Sequence, residues 1–300
     1  MKERAILHSD ANCFYASVET VLDPYLRDKA IAVCGSTDER HGIVLAKSEK
    51  AKRAGVKTGM ANWQAKGLCP DLIIVPPQYD YYLKFSRYLH NIYKRYTDLV
   101  EPFGMDECWL DVTGNKRDAF QIAEEIRQTV KDELGLTVSI GVSFNKVFAK
   151  LGSDMKKPDA ITEITRDNFK EKVWPLNCSE LLYCGRATTA KLGKIGVRTI
   201  GDIARLPMDI MQSKLGKNGV MLWKYANGLD TKGNNPLEDN THGLNRIVGY
   251  NLLEGCIAHL LHCEGDAFVG CAAHKLSGGK DKVGVYVVFC KPFSVKELGT

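Results

Sequence analysis

The sequence lacks a long apolar run. No stretch approaches the roughly 20 residues that a helix needs to cross the hydrocarbon core of a bilayer. Residues 1–4 lead into a short apolar strand with no signal-peptide core behind it. These absences argue against a membrane-spanning protein, and they predict a cytoplasmic protein with no membrane partner.

Cysteine is not arranged as a disulfide framework. Six of the ten cysteines are scattered singly through the first 184 residues, mostly inside apolar runs. Isolated thiols within apolar segments are typical of reduced core positions rather than of a secreted, disulfide-linked domain. We therefore expect free thiols in the interior of this part of the chain.

Charge of one sign is not in large excess. The 41 Lys and Arg residues oppose 36 Asp and Glu, for a formal net charge of +5, which permits a polyanionic partner without requiring one. The distribution says more, because residues 181–232 carry nine Lys or Arg against three Asp. Such a stretch can lie along a phosphate backbone, although an ordinary solvated basic helical face is the alternative.

The order of the predicted elements indicates an α+β protein. At 44% hydrophobic composition, 300 residues suffice for a large core and about two domains. The order is strand, helix, two hairpin strands, helix and strand, over residues 4–9, 13–22, 99–103, 108–112, 118–134 and 137–142. This order is ferredoxin-like, with residues 20–75 inserted early. Residues 47–57 and 79–96 have helical character, and residues 166–232 are predicted to be all-helical.

Acidic residues stand at the end or the turn of two short apolar runs. Asp10 follows the first strand, and Asp106 and Glu107 lie near the turn of the predicted hairpin. Carboxylates there are held rigidly at a sheet edge, which suits them to gather two divalent cations around a phosphate. The alternative is that Asp10 caps the next helix and that the other two occupy an ordinary polar turn.

An aromatic pair, Phe14 and Tyr15, follows the first acid, and the whole arrangement resembles the Y family of translesion DNA polymerases, in its DNA polymerase IV branch. The resemblance covers residues 4–231 in the family's order and spacing. Besides the acids it is carried by residues 42–47, 55–59, 141–150, 154–159 and 182–189.

The resemblance implies the fold of a right-hand polymerase. Its ferredoxin-like palm would comprise residues 1–19 and 76–165, and a small fingers insertion would comprise residues 20–75. Residues 166–232 would form an all-helical thumb with a helix-hairpin-helix-like motif. The expected fold class is therefore α+β, with residues 233–300 as a linker and a truncated or divergent C-terminal region.

The resemblance also implies two-metal nucleotidyl transfer. Asp10 and Asp106 would bridge two Mg²⁺ ions, for which Mn²⁺ can substitute. Glu107 would complete the primer-side metal site, and the carbonyl of Ala11 would join the nucleotide-side metal. All four residues would offer hard oxygen ligands.

The incoming nucleotide would meet aromatic and basic residues. Phe14 and Tyr15 lie where strand turns to helix, and backbone N–H groups at a helix start suit phosphates. Tyr15 occupies the steric-gate position, where a ring beneath the sugar leaves no room for a 2′-hydroxyl; for the adjacent Phe14, core packing is the alternative. Lys52 and Lys157 would reach the triphosphate.

Three positions depart from the common family pattern. Ala46 stands where many members have Ser or Thr, Glu49 where many have a phosphate-contacting Tyr, and Lys52 where many have Arg. A lysine offers a point charge without the bidentate fork of arginine. Each lost hydroxyl would cost on the order of 1 kcal/mol if it made a hydrogen bond, so we expect weaker nucleotide binding with the metal chemistry retained.

The predicted thumb contains a candidate DNA-binding motif. Residues 183–188 resemble a helix-hairpin-helix, although Tyr183 replaces the first hairpin glycine. Backbone N–H groups in such a turn contact phosphate without reading sequence. The predicted DNA contacts are Gly185, Arg186, Thr188, Lys191 and Lys194.

The resemblance ends after the plausible linker at residues 234–240. Residues 240–300 carry four of the ten cysteines and four of the seven histidines. Three interpretations stay open: a truncated or out-of-frame tail, a divergent small domain, or a zinc site built from Cys256, His259, His262, Cys263, Cys271 and His274. The last residues show no clear peptide for the sliding clamp that the family uses, so we expect very low processivity. We separately expect the protein to be a monomer.

The sequence therefore predicts template-directed, low-fidelity translesion DNA synthesis, with deoxynucleoside triphosphates and primer–template DNA as substrates. One alternative is a catalytically impaired DNA-binding remnant that lacks the family's fourth, DNA-gripping domain. Another is a two-carboxylate palm enzyme such as a nucleotide cyclase, against which the basic thumb and the Lys157 motif argue.

Overall fold

The computed structural model describes residues 3–35, 42–229, 273–275 and 286–288. Contacts divide the chain into two units, residues 1–251 and 252–300. In the second unit, strands β9 (Ala273–Lys275) and β10 (Tyr286–Val288) pair antiparallel. The predictions for the linker, the zinc-spaced side chains and the clamp peptide lie outside the described residues.

A five-stranded sheet forms the centre of the first unit. Its order is β5-β6-β1-β7-β8, and only the β7–β8 pair is parallel. The strands are β1 (Ile6–Ala11), β5 (Val100–Pro102), β6 (Glu107–Asp111), β7 (Val138–Ser143) and β8 (Ile161–Ile164). Every residue of β1 is buried, because helices cover both faces of the sheet.

Three long helices build the core on one face of this sheet: α1 (Phe14–Leu22), α4 (Tyr79–Tyr93) and α5 (Ala119–Leu134). Helix α5 begins where the Asp118 side chain accepts hydrogen bonds from the backbone N–H groups of Phe120 and Gln121. The apolar face of α5 then packs with Leu7 and Ile140 of the sheet.

Helix α6 (Lys146–Met155) lies on the opposite face. Its approach to β7 requires glycine at position 141, since a Cβ there would stand 1.8 Å from the carbonyl oxygen of Ala149. Asn145 is the N-cap of helix α6, and its side chain accepts a hydrogen bond from the N–H of Phe148 at 2.8 Å. This close packing brings Lys150 of α6 to Glu107 of β6, and Lys157, just beyond the helix, to Asp10 of β1.

The inserted segment has its own three-stranded sheet, of order β3-β2-β4, and its own small core. Its elements are β2 (Ile31–Cys34), β3 (Val44–Lys47), α2 (Glu49–Arg53), α3 (Asn62–Leu68) and β4 (Ile73–Val75). The helix predicted for residues 47–57 is too long. Lys47 belongs to β3, and Gly55, at φ +93°, lies beyond the end of α2.

Within the described residues, five further helices follow the central sheet: α7 (Phe169–Val173), α8 (Arg186–Gly193), α9 (Ile200–Arg205), α10 (Met208–Leu215) and α11 (Lys217–Ala226). They share a core with Phe144, Val147 and Phe148 of the central unit. Asn145 also donates a hydrogen bond to the carbonyl of Gly228 at 3.2 Å. The helical segment is thus fixed to the start of α6.

Most of these elements lie within a few residues of their predicted bounds. The helix predicted over residues 79–96 ends at Tyr93, and the strand predicted over 137–142 is shifted by one residue. The six cysteines of the described region are free thiols, five of them buried. No helix in the described part of the chain has the length and hydropathy of a membrane span.

Candidate active site

One pocket lies between the central sheet and the inserted segment. It is lined by all eight residues that the sequence predicted for metal and nucleotide binding: Asp10, Ala11, Phe14, Tyr15, Lys52, Asp106, Glu107 and Lys157. The predicted DNA contacts are not among its lining residues. The structure therefore collects the predicted chemistry in one place and leaves the predicted duplex contacts on the helical segment.

Strand pairing brings the three acids together. Asp10 of β1 lies opposite Glu107 of β6 in the antiparallel register. The backbone N–H of Ala11 donates to the carbonyl of Asp106 at 2.9 Å, which extends the pairing by one residue. Asp10 therefore lies within a buried strand rather than at a helix cap. Helix α1 begins instead at Cys13, which has no side-chain cap hydrogen bond.

Burial and neighbouring charges change the titration of these carboxyls. Burial raises the pKa of Asp10 to about 6, although Lys157 acts in the opposite direction. Burial and the neighbouring charges of Asp10 and Glu107 raise the pKa of Asp106 to about 7. Burial also acts to raise the pKa of Glu107, but His8 and Lys150 outweigh it and lower that pKa to about 2. Two of the three acids are thus held in an environment that disfavours their charge.

Two lysines, one in α6 and one just after it, form ion pairs with these acids. Lys157 Nζ lies 2.6 Å from Asp10 Oδ2 and 2.8 Å from Asp154 Oδ1. Lys150 forms an ion pair with Glu107. Although burial acts to lower the pKa of Lys157, its carboxylate partners raise it. Lys157, which the sequence predicted to contact the triphosphate, therefore forms ion pairs with acidic side chains in this structure.

The sequence motifs did not indicate a role for His8, a buried side chain behind Glu107. His8 is fully buried, and its Nδ1 lies 2.9 Å from the hydroxyl of Ser153 on α6. Its Nε2 stands 3.4 Å from Glu107 Oε2, and burial lowers the pKa of the imidazole. One signal could have revealed it: His8 is two residues before Asp10 in a strand, so both side chains share a face of the sheet.

The aromatic pair lies at the turn from β1 to α1, where Cys13 has φ 49°. The Phe14 ring is 3% exposed and belongs to the core. The Tyr15 ring is partly buried and stacks on Tyr82 of α4, with ring centroids 4.2 Å apart and planes 9° from parallel. The two neighbours therefore differ: one ring packs inward, and the other lines the pocket against a fixed aromatic surface.

The inserted segment supplies the opposite wall of the pocket. Glu49 Oε1 lies 3.3 Å from the thiol of Cys13, which donates to it, and 3.4 Å from Lys52 Nζ. Lys47 Nζ donates to the Thr58 hydroxyl at 3.1 Å. Burial and then Glu49 raise the pKa of Cys13 to about 12, so this thiol stays protonated at neutral pH.

The predicted DNA contacts extend along helix α8, from its N-cap at Gly185 to its C-cap at Lys194. Gly185 is its N-cap, and Arg186, Lys191 and Lys194 are exposed while Thr188 is half-buried. Tyr183, in the place of the expected glycine, has φ +66°. The hairpin therefore forms despite a side chain at a position that favours glycine.

Comparisons with known proteins agree with this geometry. The model of the impB/mucB/samB family matches residues 9–154, and the model described as the thumb domain of DNA polymerase iota matches residues 184–230. DNA polymerase IV of Acetivibrio thermocellus is 56% identical over 232 residues, which are 76% of this chain and 58% of that protein. DNA polymerase IV 1 of Bacillus subtilis is 44% identical over 230 residues, 76% of this chain and 56% of that protein.

Solved structures give the same result. A Y-family DNA polymerase chimera is similar with a TM-score of 0.71 and 28% identity, over 76% of this chain and 68% of that chain. An insertion ternary complex of Dbh DNA polymerase has a TM-score of 0.71 and 27% identity, with the same coverage. The fold and the matched sequence define a right-hand polymerase with a sheet palm and a helical thumb, so the predicted α+β fold class is confirmed.

The chain belongs to the Y family of DNA polymerases, as its sequence motifs predicted. It spans less than two thirds of the length of the curated relatives described above. The matched residues include the acid cluster and the hairpin at the start of α8.

Proposed function

We propose that this chain carries out template-directed, low-fidelity translesion DNA synthesis, joining deoxynucleotides to a primer 3′ end. The observation that carries the proposal is the convergence of Asp10, Asp106 and Glu107 in one pocket with Lys52 and Lys157. Paired carboxylates opposite ammonium groups are what a nucleoside triphosphate and its metals require. Relatives named DNA polymerase IV support the same activity.

Divalent cations fit the donor set of this pocket. Among the described residues, no group of three or more His, Cys, Asp or Glu side chains is already arranged around a metal position. Burial, which raises the pKa values of Asp10 and Asp106, nevertheless disfavours a negative charge that a hard cation would stabilise. We propose that these two acids, Glu107 and the Ala11 carbonyl hold two Mg²⁺, with Mn²⁺ as a substitute.

When bound, the two ions would lower the pKa of the primer hydroxyl and steady the leaving pyrophosphate. The protein's own side chains then have defined tasks. The ammonium group of Lys157 leaves its ion pair with Asp10 and binds a triphosphate oxygen instead. Lys52 likewise leaves its ion pair with Glu49 and binds the triphosphate. Lys150 keeps the carboxylate of Glu107 oriented. Tyr15 excludes a ribose 2′-hydroxyl from the sugar position.

We assign residues 1–19 and 76–165 to the palm, 20–75 to the fingers and 166–232 to the thumb. Primer–template DNA would lie along the thumb hairpin and helix α8, where Gly185, Arg186, Lys191 and Lys194 are exposed. Backbone N–H groups and point charges there suit phosphate contacts without sequence readout. Thr188, half-buried, completes the proposed set.

The test is primer extension by the purified chain on a primed template, with and without Mg²⁺. We expect metal-dependent addition of nucleotides and a loss of at least about 100-fold for Asp106→Ala, with duplex binding retained. Glu163→Gln is the control, because Glu163 is an exposed acid in the same sheet. This variant should extend the primer as the wild-type chain does.

Unchanged extension by Asp106→Ala would contradict the site. Duplex binding without any extension by the wild-type chain would instead favour the DNA-binding remnant. The cyclase alternative loses support because a polymerase thumb model matches residues 184–230.

A further inference from the structure

We propose that Glu19 and Tyr82 are positioning residues for the Tyr15 ring and thereby set how strongly ribonucleotides are rejected. The proposal deepens the proposed function and rests on it. A steric gate works only if its ring cannot yield, because a displacement of about 1 Å would admit a hydroxyl. The structure must therefore hold the Tyr15 ring from behind.

Aromatic rings surround Tyr15 within the protein. Tyr82 stacks on it at 4.2 Å, and Tyr79 meets it edge to face at 6.1 Å. Phe14 lies 5.8 Å away with its plane tilted by 50°. Tyr79 also contacts Tyr82 edge to face at 5.8 Å, so the backing rings support one another.

Glu19 fixes the most closely stacked of these rings. Its carboxylate accepts a short hydrogen bond from the Tyr82 hydroxyl through Oε1 and a 2.7 Å bond from the Gln78 amide through Oε2. Glu19 is one helical turn after Tyr15 in α1, so both side chains share a face of that helix. Tyr82 therefore contacts the same helix twice, with its ring on Tyr15 and its hydroxyl on Glu19.

The burial of this carboxylate indicates a purpose other than packing. Glu19 is 3% exposed and Tyr82 is fully buried. Burial of a polar carboxyl group carries a desolvation cost that an apolar side chain would avoid. Burial and the hydrogen bond to Glu19 both raise the pKa of Tyr82, so its hydroxyl keeps the proton that it donates. The resulting contact has a fixed direction, which apolar packing alone does not provide.

The experiment measures kcat/KM for insertion of a deoxynucleotide and of the matching ribonucleotide, and takes their ratio as the discrimination. We expect Tyr82→Leu to lower the ratio about three- to tenfold. Glu19→Gln and Tyr82→Phe weaken the same hydrogen bond and should each lower it about two- to threefold. Tyr81→Leu, at an exposed neighbouring position of α4, is the control and should leave it unchanged.

A double-mutant cycle separates positioning from general structure. In a Tyr15→Ala background the gate is absent, so adding Tyr82→Leu should not change the ratio further. If Tyr82→Leu lowered the discrimination ratio by the same factor in that background as in the wild-type chain, the proposal would be overturned. The proposal would also be overturned if Tyr82→Leu lowered kcat/KM for deoxynucleotide and ribonucleotide insertion by the same factor. That pattern would indicate damage to the fold rather than to the gate.

Failure of the proposed function is recognised separately. If the wild-type chain inserts no deoxynucleotide with Mg²⁺, the same variants are compared by equilibrium binding of the deoxy- and ribonucleoside triphosphates. The proposal predicts that Tyr82→Leu lowers the ratio of the affinity for the deoxynucleoside triphosphate to the affinity for the ribonucleoside triphosphate. An unchanged ratio would overturn it without reference to turnover.

Discussion

The two walls of the pocket differ in how firmly their charged groups are held. The palm wall consists of Asp10, Asp106, Glu107 and Lys157, and its Lys157–Asp10 pair is 2.6 Å long with side chains 26% and 9% exposed. The fingers wall consists of Lys47, Glu49 and Lys52. Its Lys52–Glu49 pair is 3.4 Å long, with side chains 51% and 33% exposed.

This difference separates chemistry from affinity. Strand register fixes the palm wall, because Asp10 and Glu107 face each other across β1 and β6. The fingers wall rests on a five-residue helix and an exposed ion pair, which contributes little to stability. Two departures from the common family pattern, at Glu49 and Lys52, fall on this wall. Substitutions should therefore abolish reaction on the palm wall and only tune binding on the fingers wall.

The largest expected effect is at Asp106. Asp106→Asn should lower metal-dependent extension at least about 100-fold and yet raise metal-free stability by on the order of 1 kcal/mol. Its pKa is raised from 3.8 to about 7, so ionisation costs free energy as the pH rises through that interval. The side chain is partly exposed, which reduces the effect.

Thermal unfolding in EDTA measures this gain. It should be larger at pH 8, where the wild-type carboxyl is ionised, than at pH 5, where it is protonated. A gain that does not depend on pH would contradict the crowding of the acid cluster.

A tenfold to hundredfold effect is expected behind the palm wall. Lys150→Met removes the cation paired with Glu107 while retaining much of the side-chain volume. Loss of a group that orients a metal ligand costs about 10- to 100-fold. The decrease should be partly recovered at higher Mg²⁺ concentration, and a titration of extension rate against Mg²⁺ measures it. Lys170→Met, at a position on α7 outside the pocket, is the control.

A smaller effect is expected on the fingers wall. Glu49→Gln removes a negative charge from the triphosphate side of the pocket and frees Lys52 from its ion pair. The KM for deoxynucleotides should fall about two- to fivefold with little change in kcat. Glu171→Gln, an exposed acid of α7, is the matched control. An unchanged KM would show that Glu49 does not limit nucleotide affinity.

The smallest effect concerns stability outside the pocket. Tyr183 holds φ +66° at 56% exposure, so Tyr183→Gly relieves backbone strain and loses little packing. We expect a gain of about 1 kcal/mol, observed as a higher Tm. Tyr183→Ala keeps the Cβ and should not show the gain. A lower Tm for the glycine variant would mean that the exposed ring contributes more than the backbone strain costs.

The sequence by itself predicted the family, the order of elements and eight of the residues that line the pocket. These predictions succeeded because they depend on local patterns, such as an acid close to the end of an apolar strand or the helical spacing of residues 118–134. They were less accurate in the fingers. There the composition of residues 47–57 suggested a longer helix than the sheet pairing of Lys47 and the turn at Gly55 permit.

Tertiary structure alone decided which groups support the site. Lys157 reaches Asp10 across 147 residues of sequence, His8 reaches Ser153 across 145, and Tyr82 reaches Glu19 across 63. No local periodicity reports such contacts, because they depend on how closely α4 and α6 pack against their neighbours. The sequence therefore determined which chemistry is present, whereas the packing of helices against the sheet decided how each group is held.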